Sequence, residues 1–336
     1  MKKSSKKKKQ ILSLAMIGAI GTSFAFTSPI SASAAQVNPV QAMTQAQESG
    51  SVSDWKDPFN QAFSVLQQNN ASYYWFGENK YYKDQTITNL SLNNVYQSSV
   101  EADGSPTITN SNSLFVGKTT LTNNTDKEQE LTTSQFSKTF ETSVTSSTTH
   151  GFNLGVTATS TFGIPLIGET SVQLSTEYNF SNTNENRKAE SYTYTATPQT
   201  IKVPAHSAVE VIVNLNTAKI NGNVKLLSLV DGRYDSKYNN MVGGSSGSLT
   251  EIAARALQYD KNLNLSVNGV ESQDKVYVVG RGNYAAEYGT EFAVTVRPVA
   301  KPSTFAAKSR SMVAENSKTT NEGYTYTVKP EVKKEQ

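Results

Sequence analysis

The chain has 336 residues, with no cysteine, two histidines, 31 basic and 28 acidic side chains. Cysteine nucleophiles, cysteine metal sites and disulfides are therefore excluded. A hydrolytic triad would have to use His150 or His206, and neither lies in a nucleophile elbow or a metal motif. Carboxylates such as Asp231 and Asp235 give no fixed separation that would suit a glycosidase. The sequence predicts a protein that is not an enzyme and needs no metal or cofactor.

Residues 1–34 have the three parts of a secretory signal peptide. A lysine-rich start precedes a mostly apolar stretch at 11–26, and Ala32-Ser33-Ala34 offers a cleavage site. Export would remove six lysines and no acid, which leaves 25 basic against 28 acidic side chains and changes the formal net charge from +3 to about −3. We expect a secreted protein without electrostatic attraction to nucleic acid or anionic lipid, so that a membrane-active chain would need a receptor.

A flexible N-terminus at 35–54 and a head at 55–110 are expected next. Asp57 and Pro58 are typical of a helix start, and apolar residues follow at helical spacing as far as Leu66. A dense aromatic cluster comes after this helix: Tyr73, Tyr74, Trp75, Phe76, Tyr81 and Tyr82. Such a cluster either fills the core of the head or forms an exposed surface for a protein or glycan receptor, and the residues leave both interpretations open.

Short alternating runs separated by turn residues favour an all-β fold for the remaining chain. The region 111–230 is expected to contain short strands, with a turn at Asn221-Gly222-Asn223. A C-terminal β region at 231–300 should include one short helix after Ser248, because that residue has capping-box spacing to a glutamate. A glycine-rich stretch at 280–285 precedes a strand instead of a helix, which predicts a β-turn and not a dinucleotide site.

Strand periodicity dominates the stretch 142–181, where alternate positions are apolar on both sides of an apolar turn. It predicts a hairpin with one face toward lipid and one toward a water-filled lumen. The lipid-facing, even-numbered residues are Phe152, Leu154, Val156, Ala158, Phe162, Val172, Leu174, Tyr178 and Phe180. The lumen-facing, odd-numbered residues are Asn153, Thr157, Thr159, Thr161, Glu169, Gln173 and Glu177. The tip consists of Ile164, Pro165, Leu166 and Ile167.

An ordinary ribbon lying on a sheet would also alternate. The hydroxyl-rich polar face and the apolar tip favour membrane insertion instead, since an exposed apolar turn costs solubility. The segments 152–162 and 172–180 have about the 9–11 residues that a tilted membrane strand needs. A single hairpin would leave unpaired backbone groups in lipid, so several copies of the chain must close a barrel together.

The even numbering of the apolar face constrains the strand register. Numbers of directly paired residues must sum to an even value, for example Phe162 with Thr170 and Phe152 with Phe180. Residues 142–151 have polar outward positions, so we expect them to form barrel wall above the membrane.

Several segments occur in a fixed order: Val-Gly-Lys-Thr-Thr-Leu-Thr-Asn-Asn-Thr (116–125), the Ser/Thr-rich hairpin, Tyr-Asn-Phe-Ser-Asn-Thr-Asn (178–184), Val-Pro-Ala (203–205), Val-Glu-Val-Ile (209–212) and Gly-Asn-Val-Lys-Leu (222–226). In this order they resemble the epsilon-toxin and mosquitocidal-toxin family of aerolysin-like pore formers. The resemblance covers roughly 110–230. It implies an elongated all-β protoxin with long twisted antiparallel strands, secreted by a bacterium, with insecticidal members in the family. It further implies activation by a host or gut protease and assembly into a homo-oligomeric membrane barrel, and it implies no particular receptor.

The tail at 301–336 is a candidate activation peptide. Lys308 and Arg310 are candidate cleavage sites, and the strand-like Tyr324-Thr-Tyr-Thr-Val328 could cover a sheet edge until cleavage removes it. The competing interpretation is a secreted adhesin or lectin-like protein that displays the aromatic cluster and forms no pore. That interpretation gives no reason for the apolar tip.

Overall fold

The computed structural model describes residues 50–166, 172–268, 274–299 and 323–335. Several predicted features lie outside these residues: the signal peptide, most of the flexible N-terminus, the tip residue Ile167, the lumen residue Glu169, and the cleavage candidates Lys308 and Arg310.

Two α-helices, one 3-10 turn and sixteen strands form within the described residues, and strands hold 67% of those residues. In chain order they are β1 (Ser51–Asp54), α1 (Lys56–Gln68), β2 (Ser72–Trp75), β3 (Glu78–Tyr81), the 3-10 turn (Tyr82–Asp84), β4 (Gln85–Asn123), β5 (Gln129–Thr132), β6 (Phe136–Asn153), β7 (Thr159–Gly163), β8 (Ser175–Asn179), β9 (Asn186–Ala196), β10 (Thr200–Val203), β11 (Ser207–Tyr238), β12 (Gly244–Ser248), α2 (Leu249–Ala256), β13 (Leu265–Ser266), β14 (Val276–Pro298), β15 (Tyr324–Val328) and β16 (Glu331–Lys334). The all-β class with long antiparallel strands is confirmed.

One sheet joins ten of these strands, in the path β12-β11-β14-β6-β9-β16 with β1, β4, β13 and β15 attached. Strand β11 is its centre, because it pairs antiparallel with β4 along one edge and with β14 and β12 along the other. Alternate β11 side chains, including Val209, Val211, Val213 and Leu215, are buried. The period-2 pattern of the sequence thus places one face of β11 in the core.

The predicted turns at 221–223 and 280–285 are wrong, since both segments run straight through the middle of long strands. The glycines in these segments allow other residues to approach the strand backbone closely, and they do not reverse the chain. A Cβ on Gly222 would lie 2.7 Å from the Tyr284 hydroxyl oxygen, and one on Gly282 would lie 2.8 Å from both the Ser147 carbonyl oxygen and a ring carbon of Tyr178. Ring packing from distant strands therefore explains these glycines.

The N-terminal boundary also differs from the expectation. Ser51–Asp54 pairs parallel with the end of β6, so these four residues are not part of a flexible segment. Helix α1 begins at Lys56. The Lys56 backbone N–H donates to the Asp54 carboxylate at 2.9 Å, and Asp57 lies in the first turn of the helix. The predicted apolar face of the helix is buried: Phe59, Ala62, Phe63 and Leu66. Helix α2 has the predicted cap, with the Ser248 hydroxyl accepting from the Glu251 N–H at 3.1 Å.

The end of the chain adds two strands to the sheet. β15 pairs antiparallel with the Phe292–Val296 part of β14, and β16 pairs with β9. Glu190 fixes the second pairing, because its carboxylate binds the ammonium groups of Lys188 at 2.8 Å and Lys334 at 2.9 Å and the Tyr192 hydroxyl at 2.8 Å. These three donors hold the pKa of Glu190 at about 2. The carboxylate therefore stays ionised, and its contacts persist, down to acidic pH close to that value.

Candidate functional site

The predicted hairpin forms a ribbon that lies on the large sheet. β7 and β8 pair antiparallel, β7 packs on β4, and β8 packs on β6. We call residues 152–180 the ribbon.

The apolar face of the ribbon packs against the protein. Eight of its nine predicted lipid-facing residues are buried: Phe152, Leu154, Ala158, Phe162, Val172, Leu174, Tyr178 and Phe180. The ninth, Val156, is 53% exposed. The described residues of the predicted lumen face are exposed to solvent: Asn153, Thr157, Thr159, Thr161, Gln173 and Glu177. The sheet thus covers the apolar face of the ribbon, and the polar face meets solvent.

Strand β14 provides the cradle for this face. The Tyr178 hydroxyl donates to the Asn283 carbonyl at 2.7 Å, and its ring lies over Gly282. The Phe162 ring packs on the Tyr284 ring with centroids 5.3 Å apart. Sequence reasoning missed this cradle because it interpreted 280–285 as a turn. Glycine alternates with larger residues from Gly280 through Gly282 to Tyr284. This alternation is the sequence signal from which the cradle could have been predicted.

Few polar contacts hold the ribbon to β6. The hydroxyls of Ser146 and Thr176 lie 2.6 Å apart, and the Thr148 hydroxyl donates to the Asn179 carbonyl at 2.9 Å. Gly151 passes directly beneath the chain at Phe180, where a Cβ would lie 2.1 Å from the carbonyl oxygen. These contacts therefore extend from Asn179, beside the base of the ribbon, to Thr176, which pairs with Phe162 near the far end of the described β7–β8 ladder.

Two strand registers meet at Phe180. In the β6–β9 ladder the paired residue numbers sum to 332, as in Ser146 with Asn186. In the β7–β8 ladder they sum to 338, as in Thr159 with Asn179. The Phe180 carbonyl accepts from the Phe152 N–H at 2.8 Å, which continues the first register, while its N–H donates to the Ala158 carbonyl at 3.0 Å, which begins the second.

The change of register leaves residues 153–157 looped out between β6 and β7. Gly155 has a φ of +76° there, and its N–H binds the Asn153 side chain at 3.0 Å. Val156 is exposed because it lies in this loop. Both ladders obey the predicted even sum. The example pair Phe152 with Phe180 is in contact, whereas Phe162 pairs with Thr176 and not with Thr170.

The tip is only partly exposed. Ile164 is buried, with its N–H donating to the Leu174 carbonyl at 2.8 Å, while Pro165 is exposed and Leu166 is half-buried. An open depression of about 510 Å³ borders Ile164, Leu166 and Val172. The expectation of a wholly exposed tip is wrong for Ile164, which is buried.

The aromatic cluster of the head is divided by strand alternation. Tyr73 and Tyr82 are buried against Phe63, whereas Tyr74, Trp75, Phe76 and Tyr81 are exposed. The buried Gln85 amide ties the two groups together, since its Nε2 donates to the Tyr73 hydroxyl at 3.1 Å and to the Tyr81 carbonyl at 3.2 Å. Part of the cluster thus belongs to the core and part is exposed, and a receptor-binding role for the exposed part stays a prediction.

The two histidines occupy structural positions. His150 lies between Ser51 and Asn264 at 3.0 and 3.3 Å, and burial together with the nearby Arg281 guanidinium lowers its pKa. His206 contacts the Asp126 carboxylate at 2.6 Å. Within the described ranges, no group of three or more metal-ligating side chains comes together. Among the helices of that part of the chain, none is long and apolar enough to cross a membrane.

Gly151→Ala tests the attachment of the ribbon. Its Cβ would overlap the Phe180 carbonyl, so we expect the Phe152–Phe180 hydrogen bond to break and the free energy of unfolding to fall by about 1–3 kcal/mol. Hydrogen exchange at Phe152 and Phe180 should accelerate in parallel. Gly163→Ala is the matched control, because open space surrounds that position. Equal exchange in the two variants would contradict the assignment of Gly151 as the attachment point.

Comparisons with known protein families and with solved structures gave the following matches. The sequence model of the family described as Clostridium epsilon toxin ETX/Bacillus mosquitocidal toxin MTX2 matches residues 74–301, more than half of the chain. No curated protein sequence matches.

Among solved structures, the Mpp75Aa1.1 beta-pore-forming protein from Brevibacillus laterosporus is similar with a TM-score of 0.61 and 23% identity, over 85% of this chain and 98% of that one. A non-toxic crystal protein from Bacillus thuringiensis gives a TM-score of 0.43 and 15% identity, over 75% of this chain and 99% of that one. The first likeness shows a shared fold. The family match and this fold indicate an aerolysin-like β-pore-forming toxin. The chain belongs to the Clostridium epsilon toxin ETX/Bacillus mosquitocidal toxin MTX2 family.

Proposed function

We propose that this protein is a secreted, non-enzymatic toxin that binds a target-cell surface, is activated by proteolysis, oligomerises and inserts one hairpin per chain into the membrane. The observation that carries this proposal is the meeting of two registers at Phe180. The register with a sum of 338 is the pairing of the ribbon in the folded protein. The register with a sum of 332 is a second pairing, which we assign to the barrel.

The second pairing follows from straightening the loop at 153–157. The β6–β9 register would then continue through Phe152–Phe180 to the tip, and Val156 would join the other apolar residues on one face. The turn of a hairpin lies at half the sum of its paired residue numbers. A sum of 332 would centre it on Leu166, inside the apolar tip, whereas a sum of 338 would centre it on Glu169. Because a charged turn is expensive to carry through hydrocarbon, the first register suits insertion and the second does not.

Residues 142–151 would remain above the bilayer in this arrangement. One hairpin offers two unpaired edges to lipid, so closure requires a ring of chains. The inserted state is therefore proposed as a homo-oligomeric barrel.

Cysteine pairs that share position 159 distinguish the two registers, and the chain has no other cysteine. Thr159→Cys/Asn179→Cys joins residues that are paired in the folded protein. Its oxidation before exposure to membranes should lock the ribbon and abolish dye release from loaded cells, with recovery on reduction. Thr159→Cys/Gln173→Cys joins residues about 20 Å apart along the folded strand, and it should crosslink only after pore formation.

Thr139→Cys/Thr193→Cys is the matched control, since these hydroxyls lie 2.7 Å apart in the ladder that persists in both states. Its oxidation should leave dye release unchanged. Active pores that crosslink 159 with 179 and never 159 with 173 would refute the change of register while leaving pore formation intact.

The odd-numbered face would line the lumen, where Glu169 and Glu177 would attract cations modestly. We expect Glu169→Gln/Glu177→Gln to lower the ratio of cation to anion permeability in single channels. Glu128→Gln/Glu130→Gln, outside the ribbon, is the control and should leave the ratio unchanged. An unaltered ratio in the ribbon variant would remove these carboxylates from the lumen.

Activation is proposed to occur by trypsin-like cleavage at Lys308 or Arg310, followed by departure of β15 and β16. The pairing of β15 with β14 supports this step, because it covers a sheet edge that oligomerisation could use. Thr295 and Thr325 are paired with hydroxyls 2.9 Å apart. Oxidised Thr295→Cys/Thr325→Cys should remain monomeric after cleavage and should assemble on reduction, as measured by light scattering. Assembly of the oxidised, cleaved protein would contradict a blocking role.

The alternative function is that of an adhesin or lectin-like protein without pore activity. The exposure of Tyr74, Trp75, Phe76 and Tyr81 favours a binding role for the head in either case. Tyr73 and Tyr82 support these residues from the core and are not proposed as contacts. Dye release separates the alternatives, because an adhesin binds cells without causing it.

A further inference from the structure

Two turns of the head lie side by side. The first is the β2–β3 turn at Phe76-Gly77, and the second is the β11–β12 turn at 239–243. Tyr238, just before the second turn, has its hydroxyl 3.5 Å from the Tyr73 hydroxyl and its ring centroid 5.8 Å from the Lys80 ammonium nitrogen. The Asn239 N–H also donates to the Asp84 carbonyl at 2.8 Å.

Both turns carry large apolar side chains into solvent. Phe76 is 90% exposed and Val242 is fully exposed, while Tyr74, Trp75 and Met241 are each more than half exposed. Single exposed apolar residues are common on protein surfaces, but these five are concentrated in two short segments, and we call them the patch. Phe76, Met241 and Val242 lie on the turns, and Tyr74 and Trp75 lie on β2 next to the first turn. Sequence reasoning identified the aromatic part of this patch and missed Met241 and Val242, which lie 165 or more residues further along the chain.

The backbone of the first turn is strained in order to present Phe76. Phe76 has a φ of +48° and Gly77 a φ of +82°, the two positive values of a type I′ turn. Asn, Asp and Gly usually occupy the first of these positions, and a bulky residue there costs on the order of 1–3 kcal/mol. The exposed Phe76 ring recovers little of this by burial, since its close aromatic contact is the neighbouring Trp75 at 5.1 Å between centroids. Strain at an exposed apolar side chain points to a contact outside the molecule.

We propose that these two turns dock directly on the interfacial region of a lipid bilayer. This specifies the target-surface step of the proposed function. Trp and Tyr rings are favoured at the headgroup level, and Phe, Met and Val side chains are favoured just below it. The patch is a pair of protruding turns, which fits a deformable surface better than a small ligand or a sugar, since those bind in concave sites.

Local charge is complementary to this surface. Lys83 and Lys237 are exposed next to the turns, and Glu78 is paired with Lys80 at 2.7 Å. The turns therefore approach headgroup phosphates with a small positive charge, although the mature chain as a whole is acidic.

The experiment is cosedimentation of the exported chain, without residues 1–34 and with its tail uncleaved, with protein-free phosphatidylcholine vesicles and with vesicles that also contain phosphatidylserine. The variant is Phe76→Asn/Val242→Ser, in which asparagine suits the positive φ and relieves the strain, so the fold is kept. Phe115→Ser is the matched control, because Phe115 is an exposed aromatic residue of β4, outside the two turns. We expect about tenfold weaker partitioning for the double variant on both vesicles, no change for the control, and tighter binding of the unaltered chain where phosphatidylserine is present.

Several results would overturn the proposal. One is an unaltered chain that ignores protein-free vesicles yet binds sensitive cells through Phe76 and Val242, which would assign the patch to a protein or glycan receptor. Another is vesicle binding that the double variant retains. The measurement is independent of pore formation, because it can be repeated on the oxidised Thr159→Cys/Asn179→Cys protein, whose ribbon is locked.

Discussion

The ribbon has one face that is almost wholly apolar, and that face has to be covered by either protein or lipid. Burying a large apolar side chain stabilises a protein by roughly 1.5–3 kcal/mol, so exposing the seven larger buried side chains of this face to water would cost roughly 10–20 kcal/mol, as much as the total stability of a typical domain. The rest of the structure satisfies this constraint. β14 supplies a cradle in which Gly282 leaves room for the Tyr178 ring and Tyr284 packs on Phe162. Release of the ribbon into solvent is therefore unfavourable, and release into a bilayer exchanges one apolar environment for another.

The way in which the ribbon is attached makes such an exchange feasible. Its polar contacts with β6 include those of Thr176 with Ser146 and of Asn179 with Thr148, and the Phe152–Phe180 hydrogen bond closes its base. In the proposed insertion, the loop at 153–157 would supply the residues that extend β6 without moving its pairing with β9. The sheet contains no disulfide that would oppose this rearrangement, because the chain has no cysteine. β15 and β16 meanwhile occupy edges of β14 and β9, with the ionised Glu190 holding the latter pairing.

Local patterns in the sequence were sufficient for much of this architecture. Alternation gave the two faces of the ribbon and the parity of its register, helical spacing gave the buried face of α1, and the Ser248 capping box gave α2. Features that depend on distant parts of the chain could not be obtained in this way. Gly222 and Gly282 suggested turns because the rings that pack on them, Tyr284 and Tyr178, belong to other strands. The sum of 338 in β7–β8 depends on how the ribbon fits its cradle, and the partial exposure of the aromatic cluster depends on Gln85 and Phe63 beneath it.

The central claim is that the ribbon becomes the wall of a pore. Conductance of the protease-cleaved protein across a planar lipid bilayer tests it most directly. The account predicts discrete, persistent conductance steps that depend steeply on protein concentration, because several chains must each contribute a hairpin. Protein that is cleaved and bound to the bilayer while its conductance stays at baseline would contradict the account.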